Sequence, residues 1–269
     1  MGLITIFGAS GFIGSHLVAE LERRQVQYRA IGRDDKLRRQ HLGEVIYCIG
    51  VTADFRSKPF ETVEAHVCKL GEVLQSCEFA SFTYLSSTRV YANNSATACE
   101  EDLLTVRPAA ADDLYNISKL MGESLMLNCN RHTRVVRLSN VYGSNFDSEN
   151  FLSTIVRDAL TTGKVTLQSA PESEKDYVNI HDVVNLLIQI ATRGSERLYN
   201  LASGKNVTNA ELATALRKET GCSIEFAPDA PRLAFPAISI ERIRSEFGFK
   251  PRLLQDDLST LIAAAANRK

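Results

Sequence analysis

The feature that most constrains this chain is a glycine-rich turn near its N-terminus. The apolar run Leu3–Phe7 leads into Gly8, Gly11 and Gly14, and the apolar residues that follow recur at helical spacing. This order predicts a β-strand, a tight turn and an amphipathic helix. Glycines placed this way permit the turn, let the backbone approach a pyrophosphate and let the helix pack on the sheet. The turn therefore indicates a dinucleotide site, with a purely structural turn as the alternative.

The start of the predicted helix supplies free backbone N–H groups and partial positive charge, which suit phosphate groups. We therefore expect the cofactor-binding residues of this turn to be Gly8, Ser10, Gly11, Phe12, Ile13 and Gly14.

The end of the second predicted strand indicates which dinucleotide binds. NAD sites usually carry an acidic residue there, whereas this strand ends in Gly32 followed by Arg33. A guanidinium can bind a 2′-phosphate in bidentate fashion, which adds roughly 1.5–3 kcal/mol, or about tenfold to a hundredfold in affinity. We therefore expect Arg33 to favour NADP(H). NAD(H) is the alternative, with Asp34 or Asp35 meeting the ribose.

Strand-like and helix-like segments alternate along the first half of the chain. Parallel sheets with helices on both faces produce this pattern. We predict an α/β fold, a Rossmann-type doubly wound parallel sheet with a smaller C-terminal α/β substrate lobe. Residues 1–143 would form the nucleotide-binding domain, and residues 144–269 mainly the smaller lobe, partly interleaved with the first. The predicted segments are strands at Gln27–Ile31, Glu44–Ile49, Phe79–Leu85, Val135–Leu138 and Tyr199–Ala202, and helices at Glu61–Cys77, Tyr115–Asn130, Asn150–Thr162, His181–Ala191 and Asn209–Thr220.

Composition excludes several classes of function. The 269 residues carry a net charge of −1, which gives no general attraction to nucleic acid or to an anionic membrane. No apolar run approaches the roughly 20 residues that span a bilayer, and the N-terminus lacks a basic leader. The six cysteines form no CxxC pair and the five histidines have no zinc-binding spacing, so we expect reduced thiols, no metal site and a cytoplasmic protein.

A second motif points to acid–base chemistry. Tyr115 and Lys119 are four residues apart, on one face of a predicted helix. An ammonium group nearby, together with an oxidised nicotinamide ring, would stabilise the phenolate and lower the pKa of the tyrosine. Ser87 follows a predicted strand, at the sheet edge where ligands bind in open α/β folds. A hydroxyl there can hold a substrate oxygen beside Tyr115.

The chain resembles the extended short-chain dehydrogenase/reductase superfamily, in its nucleotide-sugar epimerase, dehydratase and reductase branch. The resemblance extends nearly from end to end. The segments that carry it are Gly8–Gly14, Ser86–Tyr91, Tyr115–Glu123, Arg137–Gly143, Lys175–Val183, Tyr199–Gly204 and Phe247–Pro251.

The resemblance implies roles for individual residues. Ser87 would orient the substrate, Tyr115 would be the acid/base, and Lys119 would hold the cofactor ribose and tune Tyr115. The implied substrate contacts are Ser87, Thr88, Asn140, Lys175 and Arg232, with Lys175 standing where arginine is usual. Dehydratases of the family carry an Asp-Glu pair after the catalytic hydroxyl, whereas here Ser87 precedes Thr88 and Arg89, so dehydration lacks its acid and base.

These observations predict an NADPH-dependent reductase of a keto group on a nucleoside-diphosphate sugar, for example a 4-keto-6-deoxy hexose. A nucleotide-sugar 4-epimerase is the first alternative, and a non-catalytic NADP(H)-sensing protein is the second. The resemblance also implies a homodimer formed through Glu61–Cys77 and Tyr115–Asn130. Leu120 and Leu127 could serve that interface or belong to the core.

Overall fold

The protein is built around a six-stranded parallel sheet with helices on both faces. The structure is a computed structural model that describes residues 2–32, 35, 41–52, 54–94, 97–144, 146 and 148–267. The strands are β1 (Ile4–Phe7), β2 (Tyr28–Ile31), β3 (Glu44–Tyr47), β4 (Ser81–Ser87), β5 (Thr133–Leu138), β6 (Asn140–Tyr142), β7 (Lys164–Leu167), β8 (Glu174–Asn179), β9 (Leu198–Leu201), β10 (Asn206–Thr208) and β11 (Ser223–Phe226).

The helices alternate with these strands. They are α1 (Phe12–Arg23), α2 (Pro59–Val63), α3 (Lys69–Ser76), α4 (Asp113–Asn128), α5 (Phe151–Thr161), α6 (Ile180–Arg193), α7 (Asn209–Thr220), α8 (Glu241–Phe247) and α9 (Leu254–Ala266). A π-helical turn, Glu64–Cys68, joins α2 to α3, and a 3₁₀ turn, Thr88–Tyr91, follows β4.

The strand order of the main sheet is β2-β1-β3-β4-β5-β9, and all its neighbours are parallel. Two apolar clusters cover its faces: α1, α6 and α8 on one side, and α3 and α4 on the other. Because both faces are covered, β1 and β4 are buried along most of their length, as the continuous apolar runs predict. The predicted Rossmann-type fold class is confirmed.

A smaller lobe forms from the second half of the chain. It contains the three-stranded sheet β10-β8-β6, the two-stranded sheet β11-β7 and a third apolar cluster from α5, α7 and α9. The two parts share chain segments, because β9 belongs to the main sheet while β6 joins the smaller lobe. The predicted boundary at residues 143 and 144 stays a prediction.

Local signals explain where several elements begin and end. Thr208 caps α7: its hydroxyl accepts from the backbone N–H of Glu211, whose side chain accepts from the Thr208 N–H in return. Gly221 ends α7 in the left-handed conformation that glycine adopts readily. Within the described part of the chain, no helix is both long enough and apolar enough to cross a membrane.

The predicted helix Glu61–Cys77 differs from the structure in the face that it buries. The apolar residues at helical spacing in this segment are Val63, Val67, Leu70 and Leu74. The buried positions are instead Thr62, His66, Leu70, Val73 and Cys77, so only Leu70 is common to both sets. Two of these are polar, and hydrogen bonds satisfy both: Thr62 donates to the Lys58 carbonyl, and His66 binds Ser118. Hydrophobicity alone therefore misplaces the buried face by one residue.

Candidate active site

A cavity of about 460 Å³ opens at the carboxyl ends of β1, β3, β4 and β5, between the main sheet and the smaller lobe. This is the edge where open α/β sheets bind ligands. The cavity brings together most of the residues that the sequence predicts for the site. The predicted residues that line it are Gly11, Phe12, Ile13, Gly14, Ser87, Thr88, Tyr115, Lys119, Asn140 and Lys175.

The glycine turn has the geometry of a phosphate-binding loop. Gly8 has a φ of +77°, and its carbonyl accepts from the Gly11 N–H at 3.0 Å. A Cβ on Gly14 would lie 2.2 Å from the Gly8 oxygen, so only glycine permits this close packing of α1 on the turn. Gly11 caps α1 without a side-chain hydrogen bond, which leaves the first N–H groups of α1 available at the cavity. The turn therefore fits a dinucleotide pyrophosphate.

Three predicted contacts that the structure describes, Gly8, Ser10 and Arg232, are not part of the cavity lining. Ser10 is exposed between the glycines. Arg232 is exposed because its segment runs along the β8 edge: the Pro231 carbonyl accepts from Ala170, and the Leu233 carbonyl accepts from Glu174. Ser10 and Arg232 therefore stay predicted contacts that do not line the cavity in this structure. Arg33 lies outside the described residues, whereas the Asp35 carboxylate accepts from the Gly32 N–H at 2.8 Å, just beyond β2.

Tyr115 lies inside the cavity beside Ser87. Its side chain is 6% exposed, and its ring packs against Phe55 and His66 with centroid distances of 5.2 and 5.4 Å. Burial raises the pKa of Tyr115 above its usual value, while a hydrogen bond with Ser87 and the charge of Arg89 oppose that rise. The net direction is opposite to the one that the sequence predicts. In the absence of a positive nicotinamide ring, burial outweighs the positive charges, and Tyr115 stays protonated at neutral pH.

Lys119 lies one helical turn after Tyr115 and is 4% exposed. Its Nζ donates to the Leu85 carbonyl at 2.9 Å and lies 5.9 Å from the centre of the Tyr115 ring. Burial lowers the pKa of Lys119 to about 7, although the charge of Glu123 opposes that change. The ammonium group thus lies at the cavity floor, where α4 and β4 meet, rather than in direct contact with the phenol.

His66 is a residue of this site that the sequence analysis did not select. It is fully buried in the π-helical turn, and its Nε2 accepts from the Val51 N–H at 3.2 Å. Nδ1 therefore carries the proton and donates to Ser118 Oγ at 2.8 Å, while that hydroxyl donates to the Tyr115 carbonyl at 2.8 Å. Burial and then the charge of Lys119 lower the pKa of His66 to about 2, so the ring stays neutral.

A buried ion pair lies beneath Lys119. Arg137 on β5 donates to both carboxylate oxygens of Glu123 on α4, with the shortest contact at 2.7 Å. Ser86 donates to the same carboxylate, and Arg137 also donates to the Tyr91 hydroxyl at 2.6 Å. These bonds tie α4 to β4 and β5 directly below the reactive residues, which fixes where Tyr115 and Lys119 lie.

The substrate side of the cavity carries three polar side chains from different elements. Asn140 donates from its amide to the Asp176 carbonyl at 2.8 Å, and Lys175 Nζ lies 4.8 Å from the centre of the Phe151 ring. Arg89, which the sequence analysis did not select as a ligand contact, lines the same cavity. Across the described residues, no group of three or more His, Cys, Asp or Glu side chains could hold a metal ion.

Comparisons with known proteins identify the family. Residues 4–202 match the sequence model of the NAD dependent epimerase/dehydratase family. UDP-glucuronic acid decarboxylase 3 of Arabidopsis thaliana is 24% identical over 93% of this chain and 84% of its own length. The dTDP-4-dehydro-6-deoxyglucose reductase of Escherichia coli is also 24% identical, over 94% of each chain.

Solved structures share the fold at low sequence identity. MoeE5 in complex with UDP-glucose and NAD superposes with a TM-score of 0.83 at 21% identity, over 99% of both chains. RMD from Pseudomonas aeruginosa complexed with NADPH gives a TM-score of 0.80 at 20% identity, over 100% of this chain and 99% of that one. The predictions of the family and of an NAD(P)-dependent enzyme are confirmed. The chain belongs to the NAD-dependent epimerase/dehydratase family, within the extended short-chain dehydrogenase/reductase superfamily of nucleotide-sugar-modifying enzymes.

Proposed function

We propose that this protein is an NADPH-dependent reductase of a keto group on a nucleotide-activated sugar. The observation that carries the proposal is the grouping of Ser87, Tyr115 and Lys119 in one cavity with the glycine turn. A proton donor must hold its proton at working pH, and burial keeps this phenol in that form. The raised pKa of Tyr115 is thus compatible with donation of its proton to a carbonyl oxygen.

The proposed mechanism assigns one task to each residue. Ser87 donates a hydrogen bond to the substrate carbonyl oxygen and so holds it beside Tyr115. Tyr115 gives its hydroxyl proton to that oxygen as negative charge develops there. Lys119 would hold the cofactor ribose, and His66 fixes the backbone of the Tyr115 turn through Ser118.

The cofactor would lie along the glycine turn. Gly11, Phe12, Ile13 and Gly14 would bind its pyrophosphate, and the bound nicotinamide would supply the hydride. The preference for NADP(H) rests on Arg33 in the sequence. The related structures contain either NAD or NADPH, which supports a nicotinamide cofactor without choosing between the two.

Two alternatives differ from the reductase, one in its use of NADPH and the other in the residues that it needs. A 4-epimerase would use the same Ser87, Tyr115 and Lys119, but it would consume no NADPH overall. A non-catalytic sensor has no need for both Tyr115 and Lys119 inside the cavity, so their burial there favours an enzyme. Among the lining residues that the structure describes, Asp176 is the one carboxylate, and it already accepts from Ser203 and Lys205. This arrangement supports the exclusion of dehydration.

We also propose a homodimer. Phe60 on α2 is 86% exposed, and Met121 and Leu125 lie one turn apart on the exposed side of α4. Leu120 and Leu127 instead pack against the core, so they do not supply this surface. Burying exposed apolar side chains against a second copy would remove them from water. Sedimentation equilibrium should give a dimer for the parent and a weaker dimer for Met121→Glu; a monomer at all concentrations would contradict it.

The test of the reductase proposal is stoichiometry. The protein is incubated with NADPH and keto forms of nucleotide sugars, including a dTDP-linked 4-keto-6-deoxy hexose. We expect one NADPH consumed per reduced sugar, followed by the loss of NADPH absorbance and by mass spectrometry. Isomerised sugar with constant NADPH absorbance would instead establish the epimerase. NADPH binding without turnover of any sugar in the panel would favour the sensor.

A further inference from the structure

Arg89 and Lys175 line the same cavity from two different elements; Arg89 shares its anionic partner with Arg56, and no ion pair among the described residues involves Lys175. Arg89 lies on the 3₁₀ turn that follows Ser87, and Lys175 lies on β8 of the smaller lobe. Burial lowers the pKa of Lys175, and the Arg89 charge lowers it further. The same Arg89 charge acts on Tyr115, where it opposes the effect of burial. Arg89, Lys175 and Tyr115 all line this cavity, so the Arg89 side chain borders the same space as the reacting residue.

One carboxylate, Asp112, pairs with Arg89, and Arg56 shares it. The Arg89 NH2 group lies 3.5 Å from Asp112, which already accepts from Arg56 at 2.6 Å, and all three side chains are partly exposed. Its Nε is buried and has no hydrogen-bond partner. The remaining contact is with the Phe55 ring, 5.4 Å from the guanidinium carbon to the ring centre.

Lys175 is also short of an anion. The Lys175 ammonium group lies over the Phe151 ring. None of the ion pairs among the described residues involves Lys175. Its neighbour Asp176 is bound by the Ser203 backbone and hydroxyl at 2.9 and 2.8 Å, and by the Lys205 N–H at 3.1 Å. Two like charges at a partly buried site repel, and an anion between them removes that repulsion.

We propose that Arg89 and Lys175 together bind an oxyanion of the substrate, which makes Arg89 a specificity-determining residue beside the reacting centre. The inference rests on the proposed function, because it assumes a nucleotide sugar in this cavity. A guanidinium binds phosphate and carboxylate oxygens through two parallel N–H groups, whereas Lys175 contributes a point charge. The oxyanion is either a diphosphate oxygen or a carboxylate carried by the sugar, and binding measurements separate these two sources.

The experiment compares calorimetric binding by the parent protein, Arg89→Met and Arg56→Met. Arg56 shares Asp112 and the Phe55 ring with Arg89 but does not line the cavity, so it is the matched control. The ligands are the diphosphates of uridine, thymidine, guanosine and cytidine, together with UDP-glucose and UDP-glucuronic acid. Circular dichroism and urea unfolding confirm that each variant is folded before binding is compared.

We expect Arg89→Met to lose about tenfold to a hundredfold in affinity, the usual range for a charge-assisted bond, while Arg56→Met changes less than about threefold. An equal loss for nucleoside diphosphates and nucleotide sugars would assign the pair to the diphosphate. A loss confined to UDP-glucuronic acid would assign it to a sugar carboxylate. Unchanged binding by Arg89→Met, or an equal loss in Arg56→Met, overturns the inference alone. No binding by the parent protein overturns the proposed function and the inference with it.

Discussion

The burial of Lys119 makes the stability of the protein depend on pH in a calculable way. The pKa of Lys119 falls from 10.5 to about 7 on folding, because its amine lies 4% exposed with one hydrogen bond to a carbonyl. At about 1.36 kcal/mol per pKa unit, the buried charge costs about 5 kcal/mol relative to the unfolded chain. The Glu123 charge offsets part of the burial effect, but Arg137 already engages that carboxylate.

The sign of the dependence follows from proton counting. Between pH 7 and 10.5 the unfolded chain keeps its Lys119 proton while the folded protein has lost it. The free energy of unfolding therefore rises with pH across this window, by up to about 1.4 kcal/mol per pH unit. Above the pKa of the unfolded chain the lysine is neutral in both states, and the rise ends. Below about pH 7 both states are protonated and the dependence disappears.

The assay is urea unfolding of the parent protein and Lys119→Met between about pH 7.5 and 9.5, without cofactor. The free energy of unfolding of the parent should rise relative to that of Lys119→Met by about 1.4 kcal/mol per pH unit. Taking the difference removes the contributions of buried cysteines and tyrosines, which both proteins share. Lys58→Met is the control, because ion pairing raises the pKa of this exposed lysine and keeps it charged in both states. A difference between parent and Lys119→Met that stays constant with pH would refute the reasoning.

Three other substitutions test the site. Gly14→Ala places a Cβ 2.2 Å from a backbone oxygen and should abolish the thermal stabilisation by NADPH. Gly71→Ala is the control, because a Cβ there has nothing within 4 Å and should leave that stabilisation intact. Equal NADPH-induced rises in melting temperature in the two variants would contradict the role of the turn. Glu123→Ala leaves the Arg137 guanidinium buried without its anion and should lower the free energy of unfolding by about 3–5 kcal/mol, measured in urea. A decrease under about 1 kcal/mol would instead show that water reaches the guanidinium. His66→Phe removes the bond to the Tyr115 turn and should lower kcat about tenfold with KM unchanged; a change in KM alone would assign His66 to binding.

The fold was predictable because its signals are local. Gly8, Gly11 and Gly14 occupy positions that a strand–turn–helix unit requires, and continuous apolar runs mark strands buried on both faces. The sixth strand of the main sheet, β9, was expected as a strand, but its place beside β5 was not. Its position depends on contacts between segments about sixty residues apart, which periodicity does not encode.

The catalytic part of the site was predictable because it contains Tyr115 and Lys119 at a fixed spacing on one helix. Tyr115 and Lys119 share one helix face, and Ser87 ends the neighbouring strand, so motif and periodicity place all three at one edge. Ser10 and Arg232 stay predictions: both are exposed and neither lines the cavity, because motif position alone does not fix where an exposed side chain points.

His66 and Arg89 were missed for different reasons. The sequence pattern predicts that a lone polar residue in an amphipathic segment is exposed to solvent. Only the fold shows that His66 is buried and binds Ser118. Arg89 looked like a departure from a dehydratase pattern, whereas its unpartnered Nε and the cavity that it lines with Lys175 become visible only in three dimensions.

The central claim is that Tyr115 donates the proton. The most direct test measures both the turnover and the NADPH binding of Tyr115→Phe. The substitution removes one hydroxyl from the cavity and leaves the glycine turn and Lys119 in place. Tyr47→Phe is the control, because it removes a hydroxyl that binds the Ala65 carbonyl outside the cavity. The account predicts unchanged NADPH binding in both variants, lost reduction in Tyr115→Phe and retained reduction in Tyr47→Phe. Full activity in Tyr115→Phe would contradict it.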